Sequence, residues 1–326
     1  MRMTIGIEVL IDFAFKKVFG STGNESAVIG LLNALLRLRS PIAKIQILNP
    51  YNDKDFQDDK LSILDLRAED EQGRIFTIEV QLSAKPGLIQ RVVFYGCEVY
   101  AGQLMEGEDY SELKPVYTIC LYRGILWPGD ANYQHRFQLA DVETGRILGE
   151  TVAIHLVELL KYNLKEADLA TATTSDRWLY WLLHSHEYTS EELLNLFPEL
   201  AIQQATKSLN NINLITKDKQ MYDLRKKAEI DYHWGLKAAK KEGIEIGEAR
   251  GEARGEARGE ARGEARGEAR GEARGIIKTL QEILGTTIYS DEELHKKTVE
   301  ELTTIVTELR TRTQNRPTGG ETPASI

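Results

Sequence analysis

The sequence predicts an α/β fold: an α-β-β-β-α-β core on a mixed sheet, followed by a mainly α-helical C-terminal region. Three observations carry that expectation. Residues 61–82, LSILDLRAEDEQGRIFTIEVQL, read as two strands around a tight turn, rich in β-branched and apolar residues. A helical pattern over 88–105 leads into the near-continuous apolar run 115–122, PVYTICLY, the signature of a strand buried on both faces. From residue 166 onward the periodicity is helical almost throughout.

Taken in order, residues 8–19 read as a short helix, with Phe15, Val18 and Phe19 at helical spacing and Gly20 as its stop. Asp12 and Lys16 are i,i+4 neighbours on it, a surface ion pair in the simplest reading. Residues 26–39 form a second helix with a leucine face, and 42–48 a strand. Residues 49–60 are polar and acidic, a loop running into the hairpin.

The hairpin has strands over 61–69 and 74–82, joined by Glu71-Gln72-Gly73. Gly73 stands last in the loop, where a type I turn plus bulge needs a left-handed residue. Paired residue numbers then sum to 144, so that Asp65 opposes Glu79 and Ile63 opposes Gln81. Directly opposed Cβ atoms lie ~4.5–5.5 Å apart, and like charges there repel. Two carboxylates ~4 Å apart at an effective dielectric of ~20 repel by about 4 kcal/mol. Such a pair invites a cation or keeps one acid protonated, and two carboxylates beside an amide oxygen suit a hard divalent ion. The plainer alternative makes Asp65 and Glu79 solvent-side residues of an ordinary hairpin.

After the hairpin, SAKPG (83–87) breaks the strand, and 88–105 reads as a crossover helix. Its Arg91 could reach a phosphate, or pair on the surface with Glu98 or Asp109; Lys85 is another candidate cation. Residues 131–160 hold further strand-like pieces around a turn at Glu143-Thr144-Gly145, with His135 and His155 read as structural histidines. In 176–186, Trp178, Trp181 and Leu182 are expected in the core, with Asp176 opening the helix. The lysine-rich stretch 217–243 reads as a solvated amphipathic helix, with phosphate contact as the alternative.

Residues 247–274 are seven perfect copies of GEAR. A period of four drifts about 40° per copy around a helix, so no apolar seam forms and a long coiled coil is not supported. Each Gly costs roughly 1 kcal/mol relative to Ala. The repeat therefore reads as a spacer, a marginal helix continuous with the one before it. Beyond it, Ser290 and Glu293 form a capping box, and Leu294, Leu302, Ile305, Val306 and Leu309 an apolar face. The expected organisation is a core over 1–165, a helical extension over 166–246, the spacer over 247–275, a small helical hairpin over 276–312 and a tail of disordered composition over 313–326.

Composition bounds the partners. The 326 residues are 42% hydrophobic, enough for a sizeable core, and the net charge of −9 argues against broad nucleic-acid coating without excluding a local basic cleft. Cys97 and Cys120 show no zinc spacing and read as reduced core thiols of a cytoplasmic protein. Neither a signal peptide nor a membrane span is expected.

Several stretches together resemble a known family: IDFAFKKVFG (11–20), LLNALL (31–36), IEVQ (78–81), RVVFYGCEVYAGQL (91–104), YSELKPVYTICL (110–121) and DRWLYWLLHS (176–185). In this order they resemble the recombination-promoting nuclease (Rpn) and transposase branch of the PD-(D/E)XK nuclease superfamily, over roughly residues 8–235. The resemblance implies a restriction-endonuclease-like core and a Mg2+-dependent DNA endonuclease, with Mn2+ able to substitute, promoting DNA recombination. It implies Asp65 and Glu79 as metal ligands, Asp65, Glu79 and Gln81 as catalytic residues, and Asp12 and Arg91 in support. Gln81 stands where the superfamily usually has Lys, although Gln is usual in this branch. Two other readings stay open. One is a weak or inactive nuclease fold serving as a DNA- or protein-binding regulatory module. The other, compatible with either, is a homo-oligomer formed through the C-terminal helices.

Overall fold

The computed structural model describes residues 3–51, 66–83 and 86–315. Asp65, Lys85, the acidic loop from 52 onward, the first half of the expected strand 61–69 and the tail from 316 lie outside the described residues. The described chain divides into two compact units, Met1–Trp234 and Gly235–Ile326.

In the first unit, helices α1 (Asp12–Gly20) and α2 (Glu25–Leu36) precede strands β1 (Ile45–Ile47), β2 (Leu66–Asp70) and β3 (Ile75–Gln81). Helix α3 (Leu88–Ala101) crosses to β4 (Val116–Tyr122), and β5 (Gln134–Gln138) and β6 (Val152–Glu158) follow. The six strands lie in the order β1-β2-β3-β4-β6-β5. The β3–β4 and β4–β6 pairs are parallel, and the other pairs are antiparallel. The sheet is thus mixed and carries the expected α/β order, with both helices and strands shorter than periodicity alone suggests. Helix α2 ends at Leu36 because Arg37 turns left-handed at φ 49°. Helix α3 ends at Ala101, where the Gly102 N–H closes onto Glu98 and Tyr100.

The hairpin has the expected register. Leu66 pairs with Ile78, Arg67 with Thr77, Ala68 with Phe76 and Glu69 with Ile75, each pair summing to 144. Gly73 takes φ 75° at the bulge. The turn is locked by Asp70, whose carboxylate accepts from the Gln72 and Arg74 amides at 2.9 Å and from Arg74 Nε at 2.6 Å. A buried carboxylate needs such partners.

The two sheet faces differ. On one, Phe76, Ile78, Tyr117, Ile119 and Val157 pack with Phe15 and Phe19 of α1, Leu31 and Leu35 of α2, and the helices that follow the sheet. Those helices are α4 (Thr174–His184), α5 (Ser190–Leu196), α6 (Leu200–Leu214) and the start of α7 (Thr216–Leu284). Trp178, Trp181 and Leu182 are core residues, as expected. Asp176 is not the helix cap: Thr173 caps α4, and Asp176 sits three residues on as the reciprocal half of a capping box. Within the amphipathic stretch the buried anchor is Tyr222, while Leu224 is exposed.

The other face is covered by α3, through Leu88 and Val92 against Cys120, Tyr122 and Leu156, and Val99 against Ile75 and Val116. Cys120 is buried, but Cys97 is exposed, which corrects the expectation of two core thiols. The inward row of α3 is Leu88, Val92, Gly96 and Val99, and Cys97 lies one position off it. Between the faces, His155 is buried on the Phe76 side, paired across β4 and β5 with Ile119 and Arg136. Burial, reinforced by the Arg136 charge, lowers its pKa to about 4.

In the second unit, Ala273 and Ile277 of α7 pack with Leu294 of α8 (Asp291–His295) and with Leu302, Ile305, Val306 and Leu309 of α9 (Val299–Gln314). The Ser290–Glu293 capping box forms, and a second, Thr298–Glu301, opens α9. The GEAR repeat is helical within α7. No atom lies within 4 Å of where a Cβ would stand on its glycines, so nothing packs on that row. The last copies do more than space: Arg270 donates to the His295 and Lys297 carbonyls at 2.9 and 2.7 Å, and Ala273 is buried.

Two stability predictions arise. A Cβ on Gly30 would stand 2.3 Å from Ala201 Cβ and 3.2 Å from the Trp178 ring. Ala in place of Gly gains about 1 kcal/mol of helix propensity, but overpacking costs ~1–3 kcal/mol. Gly30→Ala is therefore expected to lower the Tm, and Ala201→Gly in the same chain to restore it. His155 is neutral in the fold and protonates in the unfolded chain below about pH 6.5, so its contribution to stability is present above that pH and is lost as pH falls toward 4. Denaturant unfolding from pH 7 to 4.5 should show the wild type losing stability relative to His155→Leu, by up to about 1.4 kcal/mol per pH unit.

Candidate active site

The alternation of β3 turns Thr77, Glu79 and Gln81 toward α3. Thr77 closes the inner end of this row by donating its hydroxyl to Thr118 Oγ1 at 3.1 Å. Glu79 and Gln81 stand nearer the C-terminal end of the strand. Helix α3 starts after Gly87, which takes φ 78°. It lies close on the sheet because Gly96 faces Thr118, where a Cβ would come within 2.9 Å of the Thr118 hydroxyl. That approach sets Arg91, one turn into the helix, over Glu79.

Glu79 is 2% exposed. Its Oε1 accepts from Gln81 Nε2 at 2.7 Å and from Arg91 Nη2 at 2.7 Å. The Arg91 guanidinium also lies 5.6 Å from the Tyr95 ring centroid. A carboxylate taken out of water is costly unless it is paired and hydrogen-bonded, and this one is both. Of the partners weighed for Arg91 in the sequence, neither Glu98 nor Asp109 is the one described. It pairs with Glu79, which parallel pairing sets beside Cys120, a β4 residue that Leu88 and Val92 of α3 cover.

Asp12 sits in the first turn of α1, half-buried, with its carboxylate accepting from the Phe13 amide at 2.6 Å. Burial raises its pKa above the ordinary carboxylate range, against the opposing Phe13 amide and the Arg225 and Lys16 charges. The structure brings Glu79, Gln81 and Arg91 together. It sets Asp12 beside Phe13, Lys16 and Arg225, and Asp65 and Lys85 lie outside the described residues.

Among the described residues, no group of three or more His, Cys, Asp or Glu side chains could hold a metal. The donors that are present, the Glu79 carboxylate and the Gln81 amide, are of the hard-oxygen kind that suits Mg2+ or Ca2+ and not a soft thiophilic ion.

Two further polar centres flank this row. Glu158, at the end of β6 and fully buried, accepts from the Leu126 amide, the Trp127 amide at 3.1 Å, His135 at 3.0 Å and Lys161 at 2.5 Å. That cage gives His135 the structural role expected of it. Glu8, just before α1, receives Lys226 Nζ on Oε1 at 2.8 Å and Arg123 Nη1 on Oε2 at 3.3 Å. Burial pushes the Glu8 carboxyl up, but Lys226 and Arg123 outweigh it and hold the pKa below the usual range. Arg123 directly follows β4, and its amide donates to the Gln81 carbonyl at 2.8 Å. The sequence reading missed Glu8 and Arg123. The only signal for them is an ionic residue inside an apolar run, for Glu8, or immediately beyond one, for Arg123.

The family model for PD-(D/E)XK nuclease family transposases matches residues 9–239, more than half of the chain. The chain belongs to this family. The match begins just before α1 and ends near Trp234, so it takes in the sheet, α3 and the helices packed on the Phe76 face. The resemblance read from IEVQ and its companion stretches is to this same nuclease-like, transposase-type domain. No curated protein and no solved structure matches the chain.

The Arg91–Glu79 pair makes a direct prediction. Removing Arg91 strips the buried carboxylate of a charged partner, at a cost of ~1–3 kcal/mol. Arg91→Ala is expected to lower stability by about that much, and the loss is expected to shrink in a Glu79→Gln background. A double-mutant cycle by urea unfolding measures the coupling, and independent effects would show that the pair does not act as a unit.

Proposed function

We propose that the chain is a metal-dependent DNA endonuclease that hydrolyses phosphodiester bonds and promotes DNA recombination. The observation that carries the reading is Glu79. A carboxylate is buried at the C-terminal half of a parallel strand with an amide and a guanidinium closed upon it, in a chain of the PD-(D/E)XK nuclease family transposases. Asp65, which the turn chemistry read from the sequence opposes to Glu79, would hold Mg2+ together with Glu79, or Mn2+ in its place.

A divalent ion bound there would lower the pKa of an attacking water and neutralise charge that builds on the phosphate. The rest falls to the protein. Gln81 would orient the water through its amide, but it carries no positive charge where the wider superfamily has Lys. Arg91 would supply that charge. Its side chain is about a third exposed, and a guanidinium matches two phosphate oxygens as well as it matches a carboxylate. Moving from Glu79 to the scissile phosphate, Arg91 would stabilise the transition state and leave Glu79 to the ion. Asp12, with its raised pKa, would assist from α1. DNA is the proposed partner and the cytoplasm the proposed location. Helices α8 and α9 would serve self-association if the chain forms a homo-oligomer.

The ion pair also favours a second reading. Arg91 could remain on Glu79 as a structural bridge, in which case the chain is a regulatory nuclease fold without activity. Cleavage of supercoiled plasmid with Mg2+ or Mn2+ separates the two. Wild type is expected to nick or linearise the plasmid, and Glu79→Ala to lose at least about 10²-fold in rate. Equal cleavage by both would remove the site assignment, and cleavage by neither would favour the regulatory reading.

A further inference from the structure

Beyond the C-terminal ends of β3 and β4 lies a cavity of about 430 Å3. Its charged lining is Glu8, Arg123, Lys226 and Glu229, and its apolar lining includes Leu82 and Ile230. Glu229 and His233 complete the α7 wall and pair with each other at 3.1 Å. The space beyond the carboxyl ends of parallel strands is where α/β sheets commonly bind ligands. Here it begins one residue past the candidate active site, and its lining includes none of Glu79, Gln81 and Arg91. Leu82 follows Gln81 in the chain, and the Arg123 amide is bonded to the Gln81 carbonyl.

What fills the cationic part of this cavity is the protein's own carboxylate. Arg123 and Lys226 come from distant parts of the chain and converge on the two oxygens of one group, Arg123 on Oε2 and Lys226 on Oε1. Glu8 is itself held in place, its amide donating to Tyr222 Oη at 2.9 Å. A phosphodiester, like a carboxylate, presents two anionic oxygens to such a pair of cations. The cavity volume suits a nucleotide-sized group. Both cations remain partly exposed, at 47% for Arg123 and 35% for Lys226, so either can turn to a ligand from solvent.

We propose that this cavity is a DNA-backbone subsite in which Arg123 and Lys226 take a phosphate flanking the cleaved bond, and that Glu8 occupies their place until DNA displaces it. The proposal rests on the nuclease reading for the identity of the ligand. It answers how a chain of net charge −9 offers a basic contact: the contact is local, and Glu8 offsets part of its charge in the absence of DNA.

The test is equilibrium binding of a fluorescent DNA duplex to the full chain, with Ca2+ as the divalent ion, followed by anisotropy across a salt series. Arg123→Gln and Lys226→Gln should each weaken binding several-fold. Each should also reduce the slope of log K against log salt by about 0.9, the loss of one phosphate contact. Arg123→Lys, which keeps the charge, should keep most of the slope. Glu8→Gln should tighten binding several-fold, and should have no such effect in a chain that also carries Arg123→Gln and Lys226→Gln. A melting curve for each variant separates lost contacts from lost folding. If both cation variants bind with the wild-type affinity and slope, the subsite is wrong and the nuclease reading stands. If Glu8→Gln weakens binding while melting normally, the displacement by DNA is wrong. If the wild type binds no duplex at low salt, the proposal falls together with the nuclease reading.

Discussion

The first unit depends on one buried charge. Glu79 points from the middle strand of the sheet into the layer beneath α3, where solvent does not reach it, and its carboxylate must find partners there. Each nearby feature meets that need. The alternation of β3 turns Glu79 and Gln81 to the same side, Gly96 lets α3 lie close to the sheet, and the first turn of α3 brings Arg91 to the carboxylate. Replacing a buried ion pair with packed hydrophobic residues is often neutral or stabilising, so stability alone does not require a charge here. The charge at this position is the observation on which the proposed nuclease function rests.

The parallel run β3-β4-β6 gathers the polar centres at one end of the sheet. Glu79 and Gln81, Arg123 and Glu158 all fall near the same end of the three strands, because parallel pairing aligns Gln81 with Tyr122 and Tyr122 with Glu158. The three polar centres differ in how they are closed. Glu158 is saturated by two backbone amides, a histidine and a lysine, and acts as a structural clamp for the loop before β5. Glu79 and Glu8 are each met by long basic side chains that keep partial contact with water. Those cations keep partial access to solvent, and the sheet beneath them supplies the frame.

Much of this was legible in the sequence, and the parts that were not share a physical reason. The hairpin register could be read because the side-chain period of a strand is two and Gly73 marks the bulge; the observed pairs obey it. The tryptophans of α4, the apolar face of α9 and the Ser290–Glu293 box could be read from helical spacing and local capping chemistry. Arg91, Glu8 and Arg123 could not be assigned partners. Their contacts depend on where a helix crosses a strand and where α7 returns to the start of the chain, and no local pattern encodes either. Cys97 shows the same limit in small: an apolar-looking helix does not reveal which of two adjacent positions faces the sheet until a glycine is seen to make the close approach. The GEAR repeat reads as a helix with no packed face, and its last copies take up contacts only because Ala273 and Arg270 meet the small core that follows.

The central claim is that Glu79 is held ready for a divalent cation. Calorimetric titration of Mg2+ and Mn2+ into the wild type and into Glu79→Gln, which keeps the shape and the hydrogen-bonding capacity, tests it most directly. The account predicts binding to the wild type that Glu79→Gln abolishes or weakens by at least an order of magnitude, at unchanged melting cooperativity. Equal binding by the two proteins, or no binding by a folded wild type, would contradict it.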